Sequence, residues 1–115
     1  MKAISLSLFI MLVFGVTSVI GGAKGEPASV LIDVRTEAEW NAGHLEGAIL
    51  IPHDRIAQDI ARNVKDKKTK IYLYCRSGRR TALAADELKR AGYEDIVNMG
   101  IMEDAAKKLN RQILK

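Results

Sequence analysis

The chain has 115 residues, 48% of them hydrophobic and 28% charged, a balance that fits one small folded domain and excludes an intrinsically disordered one. A formal net charge of +4 comes with no basic stripe interleaved with aromatics, so no nucleic-acid surface is expected. A single cysteine excludes an internal disulfide.

No residue from Ala3 to Ala23 is charged, and Ile4 to Ile20 is mostly aliphatic. With Lys2 in front and the small residues Gly21 to Ala23 behind, residues 1–23 are expected to be a secretory signal peptide and residues 24–115 the domain. An uncleaved membrane anchor is the alternative, because about 20 apolar residues span a bilayer. The expected location is the periplasm, or the inner membrane if the segment stays attached. Membrane contact is expected in that second case alone.

The branched, nearly continuous apolar run Ser29 to Val34 predicts a central strand covered on both faces. Thr36 with Glu39 three residues later is a capping-box pattern for a short helix that Gly43 stops. Ala48 to Pro52 reads as a second strand, ended by the proline. Asp54 to Asn63, with Ile56 and Ile60 spaced by four and Val64 continuing the series, predicts an amphipathic helix. A charged turn over Lys65 to Lys70 leads into a third strand, Lys70 to Cys75. From about Thr81 the set Leu83, Ala84, Leu88 and Ala91 repeats at helical spacing until Gly92. Asp95 to Met99 is the fourth strand, and Met102 to Leu114 a last helix with Ala105, Leu109 and Ile113 on one face. Strands alternating with helices imply an α/β fold with a parallel sheet and right-handed crossovers. Ligands bind such sheets beyond the carboxyl ends of the strands, where Cys75 stands.

A free cysteine is often a buried hydrophobe, and solvated arginines need no purpose. Here the lone thiol is followed by Arg76, Ser77, Gly78, Arg79 and Arg80 in a six-residue loop, with a helix beginning near Thr81. If the loop curls, its N–H groups and the first-turn donors of the helix converge on the sulfur, and Gly78 permits the unusual backbone angle this needs. Lowering a thiol pKa by about 1.5 units takes roughly 2 kcal/mol. Helix-end donors offer about 0.3 to 1 kcal/mol, up to ~2 when partly buried, so one nearby guanidinium completes the requirement. No histidine base is needed, and nothing forces His44 or His53 beside Cys75. No metal or cofactor is expected.

Several ordered motifs resemble the rhodanese family of sulfurtransferases over about ninety residues: LIDVR at Leu31 to Arg35, a stretch from Glu39 through GHLEGAILIP to Pro52, YCRSGRR at Tyr74 to Arg80, a leucine and AGY from Leu88 to Tyr93, and VNMG at Val97 to Gly100. The resemblance is strongest to the small periplasmic, phage-shock type. It implies a compact rhodanese-like domain, its parallel sheet flanked by helices on both faces and shortened at the N-terminus. It also implies that Cys75 accepts sulfane sulfur from thiosulfate, a small anionic donor, and passes the persulfide sulfur to cyanide or a thiol. Arg76, Ser77, Gly78, Arg79, Arg80 and Thr81 would bind the substrate, with ping-pong kinetics. Asp33, Arg35, Glu39 and His44 are implied to be structural. A monomer is expected, although LIDVR or its neighbour would present a less protected sheet edge. The chain departs from many relatives at Gly100-Ile101, where they have two glycines, and at Met102-Glu103, where they have an aromatic.

Two other classes remain open. A cysteine phosphatase or arsenate reductase would need its clamping arginine at position 81, which is Thr81. A non-enzymatic persulfide or redox partner protein would use the same thiol, and without a resolving cysteine its oxidised state would depend on that partner.

Overall fold

The computed structural model describes residues 29–115, so the segment expected to direct export lies outside the described residues. In chain order the elements are β1 (Ser29–Asp33), α1 (Glu37–Ala42), β2 (His44–Leu45), β3 (Ile49–Leu50) and α2 (Ile56–Asn63). Then come β4 (Lys70–Cys75), α3 (Arg79–Arg90), β5 (Asp95–Ile101), α4 (Met102–Leu109) and β6 (Ile113–Leu114). No helix among the described residues is long and apolar enough to cross a membrane.

The main sheet is parallel throughout, in the order β3-β1-β4-β5. β1 is therefore interior, and the edge beside it is its two-residue neighbour β3. Side chains alternate along the buried strands, as a period of two requires. Ile32, Val34, Ile71, Leu73 and Cys75 pack with Ile56 and Ile60 of α2 and Ala84 and Leu88 of α3. Leu31 and Tyr74 point the other way, against Leu45, Met99 and Ala105 of α4. Helices thus cover both faces, and each fully buried Ile or Leu contributes on the order of 1.5–3 kcal/mol.

The capping box at α1 forms as the spacing predicts: Thr36 accepts from the Glu39 N–H at 3.2 Å, and the Thr36 N–H donates to Glu39 Oε1 at 3.0 Å. Three helix boundaries differ from expectation. The helix after Cys75 starts at Arg79, two residues early, because Gly78 takes the N-cap in the left-handed region at φ 89°. The helix expected to run from Met102 to Leu114 stops at Leu109. Asn110 turns left-handed at φ 54°, and the chain then reverses, so that Ile113 and Leu114 pair antiparallel with Leu45 and His44 in a small second sheet. Finally, the amphipathic helix starts at Ile56 instead of Asp54, after a turn in which the Arg55 N–H donates to the Pro52 carbonyl.

One irregularity positions the site. Between Leu73, which pairs with Asn98, and Cys75, which pairs with Ile101, β5 carries an extra residue. Gly100 absorbs this bulge at φ 77°. Met102 and Glu103 therefore follow directly from a residue paired with Cys75.

Candidate active site

Cys75 ends β4 with its side chain turned toward α3, and it is fully buried. The segment after it does not extend away. It folds back so that the Gly78 N–H donates to Sγ at 2.9 Å, a contact that the left-handed backbone of Gly78 makes possible. Thr81, buried in the first turn of α3, donates its hydroxyl to the Gly78 carbonyl at 2.7 Å and lies 3.9 Å from Sγ. Burial pushes the thiol up. The N–H groups of Thr81, Gly78 and Ser77, with the Thr81 hydroxyl, outweigh that and hold it below its ordinary value.

The three arginines of this stretch separate in role. Arg80 is committed: its Nη1 and Nη2 donate to Glu39 Oε1 and Oε2 at 2.7 and 2.9 Å. That guanidinium, opposed by burial and helped by the Thr36 N–H and hydroxyl, holds the Glu39 carboxyl down to about 2. Arg76 is 77% exposed and reaches Glu39 no closer than 3.8 Å, and Arg79 is exposed on the first turn of α3. Arg79 and Arg80 are helical residues, so the loop proper is only Arg76, Ser77 and Gly78.

The remaining residues singled out in the sequence form the frame. Asp33 is fully buried and receives Arg35 Nε and Nη2 at 2.9 and 2.7 Å, and Arg35 Nη2 also donates to the Gly43 carbonyl at 2.6 Å. This ties the end of β1 to the end of α1. The His44 ring stacks on Trp40, with centroids 3.6 Å apart, and its Nδ1 donates to the Trp40 carbonyl at 3.0 Å. It makes no hydrogen bond to the cysteine loop. Tyr74, which the sequence motif contains without giving it a role, accepts the Leu45 N–H on its hydroxyl at 3.0 Å and so anchors β2 beneath the site. Burial pushes that hydroxyl well above the usual phenol range.

Beside the loop, at the carboxyl ends of β1, β4 and β5, lies a cleft of about 300 Å³ lined by Arg35, Glu39, Arg76, Met102, Glu103 and Ile113 among others. A hollow of about 370 Å³ between α2 and α3 includes no residue of the cysteine loop. Met102 was flagged in the sequence only as a departure from relatives. Ile113 could not be placed there while its segment read as helix. Among the described residues no cluster of histidine, cysteine, aspartate and glutamate could hold a metal ion.

The family model described as Rhodanese-like domain matches residues 20–104. The thiosulfate sulfurtransferase PspE of Escherichia coli (strain K12) is 36% identical over 75 residues, which cover 65% of this chain and 72% of that protein. A tRNA uridine(34) hydroxylase of Erwinia tasmaniensis is 33% identical over 86 residues, 70% of this chain but only 25% of the hydroxylase. Among solved structures, a rhodanese with anions from E. coli superimposes with a TM-score of 0.70 at 33% identity, over 76% of this chain and 99% of that one. The rhodanese-like domain of the Alr3790 protein from Anabaena sp. gives a TM-score of 0.70 at 25% identity, over 85% and 94% of the two chains.

Proposed function

The chain belongs to the rhodanese-like family of sulfurtransferase domains, and from that premise we propose that it is a thiosulfate sulfurtransferase with Cys75 as the sulfur carrier. The observation that carries the reading is the convergence of loop and helix N–H groups on Sγ at the end of a buried strand. That arrangement favours thiolate and leaves donors to hold a second sulfur.

In the first half-reaction the Cys75 thiolate attacks the outer sulfur of thiosulfate. The S–S bond of thiosulfate breaks, sulfite departs with the bonding pair, and Cys75 is left as a persulfide anion. In the second, cyanide or a thiolate attacks the outer sulfur and the Cys75 thiolate is the leaving group. No external oxidant enters. Arg76 and Arg79, exposed and close to Cys75 in the chain, attract the anionic donor. The uncharged run Ala3 to Ala23 supports export of the domain to a periplasm as part of the same proposal.

The phosphatase alternative loses ground on geometry. Position 81 is a buried threonine bonded to Gly78, and the guanidinium beside it is held by Glu39.

The test is thiocyanate formation from thiosulfate and cyanide by the protein and by Cys75→Ser. Turnover is expected only with the thiol present. Activity surviving in the serine variant overturns the mechanism. A persulfide that forms but passes to neither cyanide nor thiols indicates a non-enzymatic sulfur-binding partner.

A further inference from the structure

The charges lining the cleft beside the cysteine loop are not all spent. Arg35 is committed to Asp33 and the Gly43 carbonyl, and Glu39 accepts both arms of Arg80. Arg76 differs, because the nearest carboxylate oxygen, Glu39 Oε2 at 3.8 Å, already accepts Arg80 at 2.9 Å. Glu103, exposed in the first turn of α4, has no hydrogen bond or ion pair among the described residues. Met102 and the 37%-exposed Ile113 supply apolar wall. The bulge in β5 sets Ile101 opposite Cys75 in the backbone register, so Met102 and Glu103 follow directly from the residue paired with Cys75, as Arg76 follows Cys75 itself from β4.

We infer that this cleft is the acceptor subsite for a small thiol with an α-amino-acid head, its carboxylate against Arg76 with help from Lys115, its ammonium against Glu103, and its methylene on Met102 and Ile113. The inference rests on the sulfurtransferase reading of Cys75. A volume of about 300 Å³ stands at the small end of ligand pockets and suits a molecule of that size. A thiol carrying only a carboxylate meets Glu103 as a like charge, and one carrying only an ammonium meets Arg76 in the same way, so the site discriminates against both. In the transfer, the acceptor thiolate bonds to the outer sulfur of the persulfide, the bond from that sulfur to Cys75 Sγ breaks, and Sγ keeps the electron pair.

The experiment loads the protein with thiosulfate, measures the persulfide by intact mass, and follows its single-turnover discharge. The acceptors are cysteine, N-acetylcysteine, cysteine methyl ester and N-acetylcysteine amide, with rates expressed per thiolate. In Glu103→Gln the preference for cysteine over N-acetylcysteine should fall roughly three- to tenfold, as for a partly exposed charge contact. In Arg76→Gln the rate ratio of N-acetylcysteine to its amide should fall by a similar factor, because only the carboxylate loses an attraction, while the ratio of ester to amide should not fall. Each ratio is internal to one variant, so a general loss of folding or persulfide content cancels. Loaded persulfide with both preferences unchanged overturns this inference alone. Absence of any persulfide in the parent overturns the sulfurtransferase reading and this inference with it.

Discussion

Arg80 and Glu39, 41 residues apart, form a two-pronged ion pair at 2.7 and 2.9 Å that fastens the start of α3 to α1. Both side chains are about four-fifths buried. Glu39 is depressed from an ordinary 4.5 to about 2, foremost by Arg80. A carboxyl with a depressed folded pKa contributes stability that is fully present above its unfolded value and is lost as pH falls toward the folded one. Glu39→Gln is therefore expected to cost about 1–3 kcal/mol at pH 7, after allowance for partial exposure. The gap from the parent should narrow as pH drops from about 5 to 2. Urea titrations across that range measure it, and a gap that stays constant contradicts the ion-pair account.

With Arg80 neutralised by Glu39, the proposed function leaves attraction of an anionic donor to Arg76 and Arg79, whereas the sequence alone left Arg76, Arg79 and Arg80 as equal candidates. Both remaining arginines are exposed, so their effect is long-range and screened. Replacing both with alanine should raise KM for thiosulfate roughly two- to fivefold, leave KM for a neutral persulfide donor nearly unchanged, and lose its effect near 1 M salt, where the Debye length is ~3 Å. A KM increase of the same size for both donors, insensitive to salt, would contradict electrostatic capture.

The fold was legible wherever local chemistry decides structure. The run through Ile32 and Val34, the box of Thr36 and Glu39, and the alternation ending at Cys75 each specify an element without distant help. Misreadings arose where backbone angle or a distant partner decides. Gly78 admitted an earlier helix start by turning left-handed, and Ile113 kept helical spacing from Ala105 and Leu109 yet pairs with Leu45, far away in sequence. The curl of the loop that brings a backbone N–H to the Cys75 sulfur could be anticipated from its neighbours. The capture of Arg80 by Glu39 could not, because no spacing rule links a capping residue to a helix start 41 positions on.

Thr81 couples the loop to the sulfur by bonding the Gly78 carbonyl while facing Sγ. Removing its hydroxyl in Thr81→Val keeps the volume and takes away one of the groups that hold the thiol down. The midpoint of iodoacetamide alkylation against pH is expected to rise, and kcat/KM for thiosulfate at pH 7 to fall about three- to tenfold. The loss should vanish above the raised midpoint, where the thiol is ionised in both proteins, and Thr81→Ser should restore the parent profile. An unchanged midpoint with equally low activity would assign Thr81 a packing role only.

Asp33 and Arg35 are both nearly excluded from solvent, with side-chain exposures of 0% and 7%, and every polar contact between them is made inside the fold. Arg35 is raised above its ordinary value, foremost by the hydrogen bonds it donates to Asp33 and against the effect of burial. Removing one partner of such a pair strands the other charge, which typically costs about 3–5 kcal/mol. Asp33→Ala should therefore unfold at much lower urea than the parent. The double variant Asp33→Ala with Arg35→Met removes the stranded cation and should recover a large part of the loss, although Gly43 then loses its donor. If the double variant is as unstable as the sum of the two single variants, the penalty does not come from an unpaired guanidinium.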